Sequence, residues 1–339
     1  MRNVKIGPRV VAMVLVVAAM TAGCTGSGSS ASGPASADPA AGATFPAVFA
    51  ASIPFASANS QRGDLGERIA LLSSRTGDLV RWLSPRQDGL FDAVLSVQGG
   101  WVYFLRGIAS VSVWRVPVAG GRAQLVQAGA VDYAVSPDGR AIAYVLSGIH
   151  RGEVAEIVAR NLVTGRQNTI YMGSNFGNGA PGVSGLSWAP DDTHLAVQSS
   201  LSAAINSVLV FDACTARTVG DGRSAPAPCT GTGYLACGDL DPGYLTSGGL
   251  TYVVQRVYGT DDVRASLIEW RAGRLETLLS FPAGAFLISV TAQGQAIWVT
   301  GPPQPKGGWT IWRWSGDAPV KITTLGQSPE YGAVGGLAW

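Results

Sequence analysis

An all-β, six-bladed propeller is the fold this sequence predicts, and three observations predict it. A strand–turn–strand unit, VDYAVSPDGRAIAYV at Val131–Val145, recurs with lower fidelity along the chain. Six tight turns of a second kind follow one another at 43 to 57 residues, the period expected of blades built from four short strands. From about Gly66 onward, strand and turn signals alternate with no long amphipathic helix between them.

The N-terminus carries an address. Arg2, Lys5 and Arg9 form a basic start, and Val10 to Ala19 is an apolar run too short to span a bilayer as a permanent helix. Thr21-Ala22-Gly23-Cys24 then resembles the lipobox of bacterial lipoproteins, which implies cleavage before Cys24 and a lipid on its thiol. The alternative is an ordinary secretory signal cut nearby; both place the rest of the chain outside the cytoplasm. Residues 25–44, TGSGSSASGPASADPAAGAT, hold no large apolar side chain and cannot offset the entropy of ordering, so they read as a flexible tether. The expected division is a signal peptide over 1–23, the lipidated cysteine and tether over 24–44, and the propeller over 45–339. The expected location is the outer face of the cytoplasmic membrane. Heavy use of Ala, Gly and Arg with only three lysines fits a high-GC genome.

Within the body, the SPDG-type turn joins strand A, nearest the central channel, to strand B. Weaker copies of this unit lie at Val183–Val197, Leu95–Trp101, Leu245–Val253 and Leu287–Trp298. The second turn type joins C to the outer strand D: Thr76-Gly77-Asp78, Ala119-Gly120-Gly121, Thr164-Gly165-Arg166, Thr215-Ala216-Arg217, Ala272-Gly273-Arg274 and Ser315-Gly316-Asp317. The body begins on a C–D pair, Arg68 to Leu83. It ends on GGLAW, which echoes the A strand SGLSW at Ser184–Trp188. The last blade is therefore expected to be shared between the two ends, with Phe45 to Phe55 as the candidate for its B strand.

AVSPDGRAIAYV resembles the WD40-like repeat of TolB-type β-propellers, and APDDTHLAV resembles it with Asp192 where the repeat has Gly. The resemblance implies the propeller fold. It is nearly silent on activity, because relatives include interaction scaffolds and the propeller domains of certain serine peptidases.

Composition and motifs exclude more than they assign. A net charge of +2, with no Lys/Arg run interleaved with aromatics, argues against nucleic acid. No G-x-S-x-G elbow is present, and no room remains for a hydrolase domain. His150 and His194 are the only histidines. No metal motif appears; Asp239, Asp241, Asp261 and Asp262 read as solvated turn residues. No cofactor, metal or catalytic residue is expected. With Cys24 lipidated, three cysteines remain. Cys214 falls in a C–D turn, whereas Cys229 and Cys237 share the long D–A insertion at the opposite face, so the expected bridge is Cys229–Cys237 with Cys214 unpaired. Most of the ten tryptophans fall inside strands and read as core; Trp309, after the PPQPKGG stretch, is the surface candidate.

The expected role is a non-enzymatic, monomeric scaffold that binds an envelope protein or glycan. The alternatives are a small-ligand or glycan binder at the channel mouth and, third, an enzyme with an unrecognised site. The A–B and C–D turns are tight, so recognition is assigned to the B–C and D–A loops. The residues named there are His150, Arg151, Asn175, Phe176, Asn178, Tyr258, Asp261, Asp262 and Trp309.

Overall fold

The computed structural model describes residues 47–56, 65–83, 87–88, 95–107, 111–146, 154–174, 182–189, 191–202, 205–214, 239–240, 244–245, 251–258, 263–271, 274–291, 294–301, 308–325 and 336–338. Among them the strands form six antiparallel sheets and there is no helix. The first sheet takes β1 (Val48–Ala56), β2 (Leu65–Ser73), β3 (Leu79–Trp82) and the short β4 (Gln87–Asp88). The second holds β5 (Ser96–Gln98), β6 (Trp101–Arg106), β7 (Ser112–Pro117) and β8 (Gln124–Ala128). The third holds β9 (Ala130–Val135), β10 (Ala141–Leu146), β11 (Val154–Asn161) and β12 (Gln167–Ser174). The fourth shows β13 (Gly182–Trp188), β14 (His194–Ser202) and β15 (Ile205–Asp212). The fifth joins β16 (Asp239–Leu240), β17 (Tyr244–Leu245), β18 (Thr251–Tyr258), β19 (Val263–Arg271) and β20 (Arg274–Ser280). The sixth is β21 (Ala285–Val290), β22 (Ala296–Thr300), β23 (Trp309–Trp314) and β24 (Val320–Leu325). β25 (Gly336–Ala338) then returns to the first sheet, with Leu337 opposite Ala51 of β1.

β1 therefore supplies the B strand of the shared sheet, lying between β25 and β2. The SPDG turn joins β9 to β10, and the Gly turns link β2 to β3, β7 to β8, β11 to β12 and β23 to β24, all as the sequence predicts. The fourth strand expected after Thr215 falls outside the described residues.

The B strands explain the ring. β6 and β10 each bury four consecutive residues, because a strand with a sheet on either side has no solvent face. Side chains alternate between the two neighbours. Val102 and Phe104 pack toward Ala50, Ile69 and Leu71 of the first sheet. Tyr103 and Leu105 pack toward Tyr133, Val135, Ile142 and Tyr144 of the third. Ala143 and Val145 point the other way, onto Leu186, Trp188, Leu195 and Val197 of the fourth. The fifth and sixth sheets meet through Leu267, Phe281, Trp298 and Trp314. The sixth closes on the first through Ile297, Val299 and Ile311 against Phe49, Ala51 and Leu72. Each fully buried Leu, Ile or Phe in these layers contributes about 1.5–3 kcal/mol.

Polar latches tie successive sheets. An Arg81 guanidinium N–H donates to the Ala119 carbonyl, and Arg160 donates to the Val126 carbonyl at 3.0 Å. Asn168 Nδ2 donates to the carbonyls of Ala213 and Cys214, and Trp188 Nε1 donates to that of Ala134 at 3.0 Å.

Two local expectations change. Tyr258 closes β18 opposite Val263, and Trp309 opens β23 opposite Leu325, so both belong to strands rather than loops. The pairing simply runs further than polarity alone suggests. Cys214, expected as an unpaired thiol, is disulfide-bonded. Its partner, one of Cys24, Cys229 and Cys237, lies outside the described residues, as does the expected Cys229–Cys237 pair. Leaving Cys214 unpaired required a D strand that carries the chain back across the blade. That lettering rested on residues after Cys214, and residues 215–238 lie outside the described residues.

Candidate functional site

The first strands converge. β25 packs on β5, β5 on β9, β9 on β13, and β21 on β25. They line the centre of the ring, and its two ends differ.

At the A–B end, three turns are locked together. Gly139 adopts φ +71°, and a methyl group there would lie 2.6 Å from Gly99 Cα of the neighbouring turn. Asp192 takes the left-handed conformation, φ 57°, at the position where the better repeat has Gly139. Asp is among the few side chains that tolerate it. Its carboxylate accepts a 2.9 Å hydrogen bond from the Asp138 N–H of the next turn. Burial raises the Asp192 pKa, and that hydrogen bond works against the rise. Ser136 Oγ donates to Asp138 Oδ1, and the Arg140 N–H donates to the same oxygen. His194 sits beside Asp191, ring nitrogen against carboxylate. Burial raises the Asp191 pKa, but hydrogen bonds from the Thr193 N–H and from His194 outweigh it and hold it low. Backbone approach and mutual capping leave this end little freedom to adapt to a partner.

At the opposite end, the first strands of three sheets are bulged near their starts. The register of β9 on β10 skips Val131, that of β13 on β14 skips Ser184, and that of β21 on β22 skips Leu287 and Ile288. Leu287 holds φ 49° within its bulge. Bulges bend a strand and re-aim its side chains, and they gather beside functional sites. All three lie at the mouth where the D–A connections enter.

Asp132 comes directly after the first of these bulges. Its carboxylate accepts a 2.7 Å hydrogen bond from the Tyr133 N–H, and among the described residues no cation pairs with it. Lost hydration pushes the pKa of this half-buried carboxylate up to about 7, against that one hydrogen bond. Val131 beside it is 43% exposed. Sequence reading missed Asp132. The available signal was a charged residue inside the alternating apolar strand VDYAV.

Of the residues assigned to recognition, His150, Arg151, Asn175, Phe176, Asn178, Asp261 and Asp262 lie outside the described residues. Tyr258 lies at the end of β18 that leads toward Asp261 and Asp262. Trp309 is half-buried, edge-on to Phe286 with centroids 4.9 Å apart, and packs on the cluster between the sixth and first sheets. Leu287 packs on the same cluster, so Trp309 stands beside the bulged part of β21. The other tryptophans are mostly structural. Trp188, Trp298 and Trp314 are buried, and Trp312 lies parallel to Trp298 while donating to Thr300 Oγ1 at 2.9 Å. Arg115, Arg106 and Arg68 lie over Trp101, Trp114 and Trp82. Among the described residues, no group of three or more His, Cys, Asp or Glu side chains is placed to hold a metal ion.

No protein-family model matches this chain, and no curated protein matches it. Solved structures do. TolB from Acinetobacter baumannii superposes with a TM-score of 0.58 at 14% identity, covering 86% of this chain and 66% of that one. The β-propeller domain of the Trilobed protease from Pyrococcus furiosus gives a TM-score of 0.44 at 14% identity, over 69% of this chain and 71% of that one. An oligogalacturonate lyase in complex with manganese gives 0.49 at 12% identity, over 83% and 80%. The class is therefore a β-propeller. Within that class its fold is TolB-like.

Proposed function

We propose that this chain is a non-enzymatic, extracytoplasmic scaffold that binds an envelope protein or glycan. It is a monomeric six-bladed propeller anchored through a lipid on Cys24 to the outer face of the cytoplasmic membrane. It engages its partner with the B–C and D–A loops around the channel mouth. The asymmetry of the channel carries this reading: three bulges gather at that mouth, whereas the A–B turns at the other end are locked to one another. Rigid strands presenting irregular loops are the usual arrangement for recognition.

Crosslinking of the full chain in membranes, followed by mass spectrometry, identifies the partner. Alanine at Arg151, Phe176, Tyr258 and Trp309 then weakens that partnership by tenfold or more in total, about 1.4 kcal/mol or more, with Trp309→Ala alone also lowering the melting temperature because it removes packing from the core cluster. Weakening by substitutions in the A–B turns instead, with these four neutral, assigns binding to the wrong face. A small-ligand reading of the same mouth has one specific observation in its favour, the Asp132 carboxylate without a described cation partner.

A further inference from the structure

We propose that the end of the propeller bearing the A–B and C–D turns rests on an anionic bilayer surface, touching it along the sixth, first, second and third sheets. This rests on the lipid anchor at Cys24 in the function proposed above, and it turns the loop-bearing mouth away from the membrane.

The strand register fixes where the anchoring segment joins the body. β1 starts at Val48 opposite Ser73, the last residue of β2. Ala47, just before it, accepts a 3.0 Å hydrogen bond from the Ser74 N–H at the start of the β2–β3 turn. The chain from Cys24 therefore reaches the propeller beside the C–D turn of the first sheet. Other B strands also begin beside their C–D turns: Trp101 lies opposite Pro117, Ala141 opposite Asn161 and Ala296 opposite Trp314. This is the end that carries the A–B turns as well. The 22 residues between Cys24 and Ala47 reach roughly 25 Å on average at a Gly/Ser-rich composition. That reach keeps this end, and not the mouth, nearest the bilayer.

The same end carries most of the exposed apolar surface. Among the described residues six large apolar side chains are exposed. Val131 is at the mouth, and the other five lie in or just after C–D turns. Val163 stands in the β11–β12 turn, Leu79 and Val80 open β3, Val320 opens β24, and Leu125 is the second residue of β8. The four sheets concerned are consecutive and touch. A methyl group on Gly77 would lie 2.2 Å from Thr323 Cβ of β24, Arg81 donates to the Ala119 carbonyl, and Arg160 donates to that of Val126. Such residues scattered singly would call for no partner. Gathered at one end of adjoining sheets, beside the anchoring segment, they form an apolar arc that a bilayer covers.

Charge favours lipid over a second copy. Arg75, Arg122 and Arg166 are exposed in these turns and Arg81 and Lys321 in the strands that follow, against the exposed Asp78 and Asp317. Asp138, in the neighbouring A–B turn, already faces Arg140 at 3.9 Å. Two copies set face to face would bring this excess of cations together. Anionic headgroups attract it, while the long stems lie along the apolar side chains.

The test is hydroxyl-radical footprinting of the full-length lipidated chain in phosphatidylglycerol vesicles, diluted to single copies per vesicle. Cys24→Ala from the soluble exported fraction is the reference. Oxidation of Leu79, Leu125, Val163 and Val320 should fall by half or more in the vesicles, as for side chains set into the headgroup boundary. Val131 should be unaffected, and phosphatidylcholine vesicles should weaken the protection. Unprotected residues on a chain that is still anchored overturn the contact and leave the anchor standing. Protection of Val131 in their place overturns it by putting the mouth against the membrane. Protection that disappears on dilution assigns the arc to a second copy, and equal protection in both lipids overturns the anionic assignment. Cys24→Ala that stays in the membrane fraction removes the anchor, and with it the orientation.

Discussion

Asp132 sets a pH dependence whose sign comes from its environment. Its pKa in the folded chain is about 7, against 3.8 for a free aspartate. Between those values the folded state holds a proton that the unfolded state has released, so stability falls as pH rises and levels off above about 7. The penalty above pH 7 is at most about 4 kcal/mol, reduced by whatever solvent the channel admits. Asp132→Asn keeps an oxygen for the Tyr133 N–H and removes the charge. The variant should melt higher than the parent at pH 8, with the gain shrinking toward pH 4; a constant difference across that range would place the carboxylate in bulk water. Gly139 shows the opposite kind of residue, one with no room for change, because any side chain meets the Gly99 backbone of the adjacent turn.

Among the elements, β25 has few residues and a large share of the closure. Its three residues pair with β1, and Ala338 is buried in the core between the first and second sheets. Without it, β1 presents an open edge at the centre of the ring. Deleting residues 335–339 should lower the melting temperature by 5 °C or more, corresponding to roughly 3 kcal/mol or more for a body of this size; an unchanged transition would mean that side-chain packing alone closes the ring. Elements were the level most legible in sequence. SPDG and the recurring Gly turns mark connections because few residues fit them, and GGLAW is recognisable beside SGLSW. Tyr258 and Trp309 were less legible, since strand ends are set by cross-strand partners that local polarity does not report. Asp192 was visible as a departure from the repeat, yet its reach to the Asp138 N–H of the neighbouring turn is a contact between sheets that no local pattern encodes.

For the whole molecule, the propeller was readable because its repeats are local, and the proposed binding end rests in sequence on loop economy alone. The bulges near the starts of β9, β13 and β21 are register shifts between paired strands, invisible in either strand alone. The Cys214 bridge was missed because cysteine pairing depends on which distant loop meets that turn, and spacing in sequence does not report it. Anchoring belongs to this scale too. If Cys24 carries the lipid, Cys24→Ala should move the protein from the membrane fraction to the soluble exported fraction with its fold intact. Continued membrane association of that variant would remove the anchor from the proposed function.

The pairing of β1 with β25 also sets an order in time. β1 is the earliest described strand to be synthesised and β25 the last. One edge of β1 therefore stays without its partner until β25 has emerged. Such a distant contact forms slowly, and an exposed central strand is open to wrong pairings while it waits. Until β25 pairs with β1, the first sheet lacks its innermost strand.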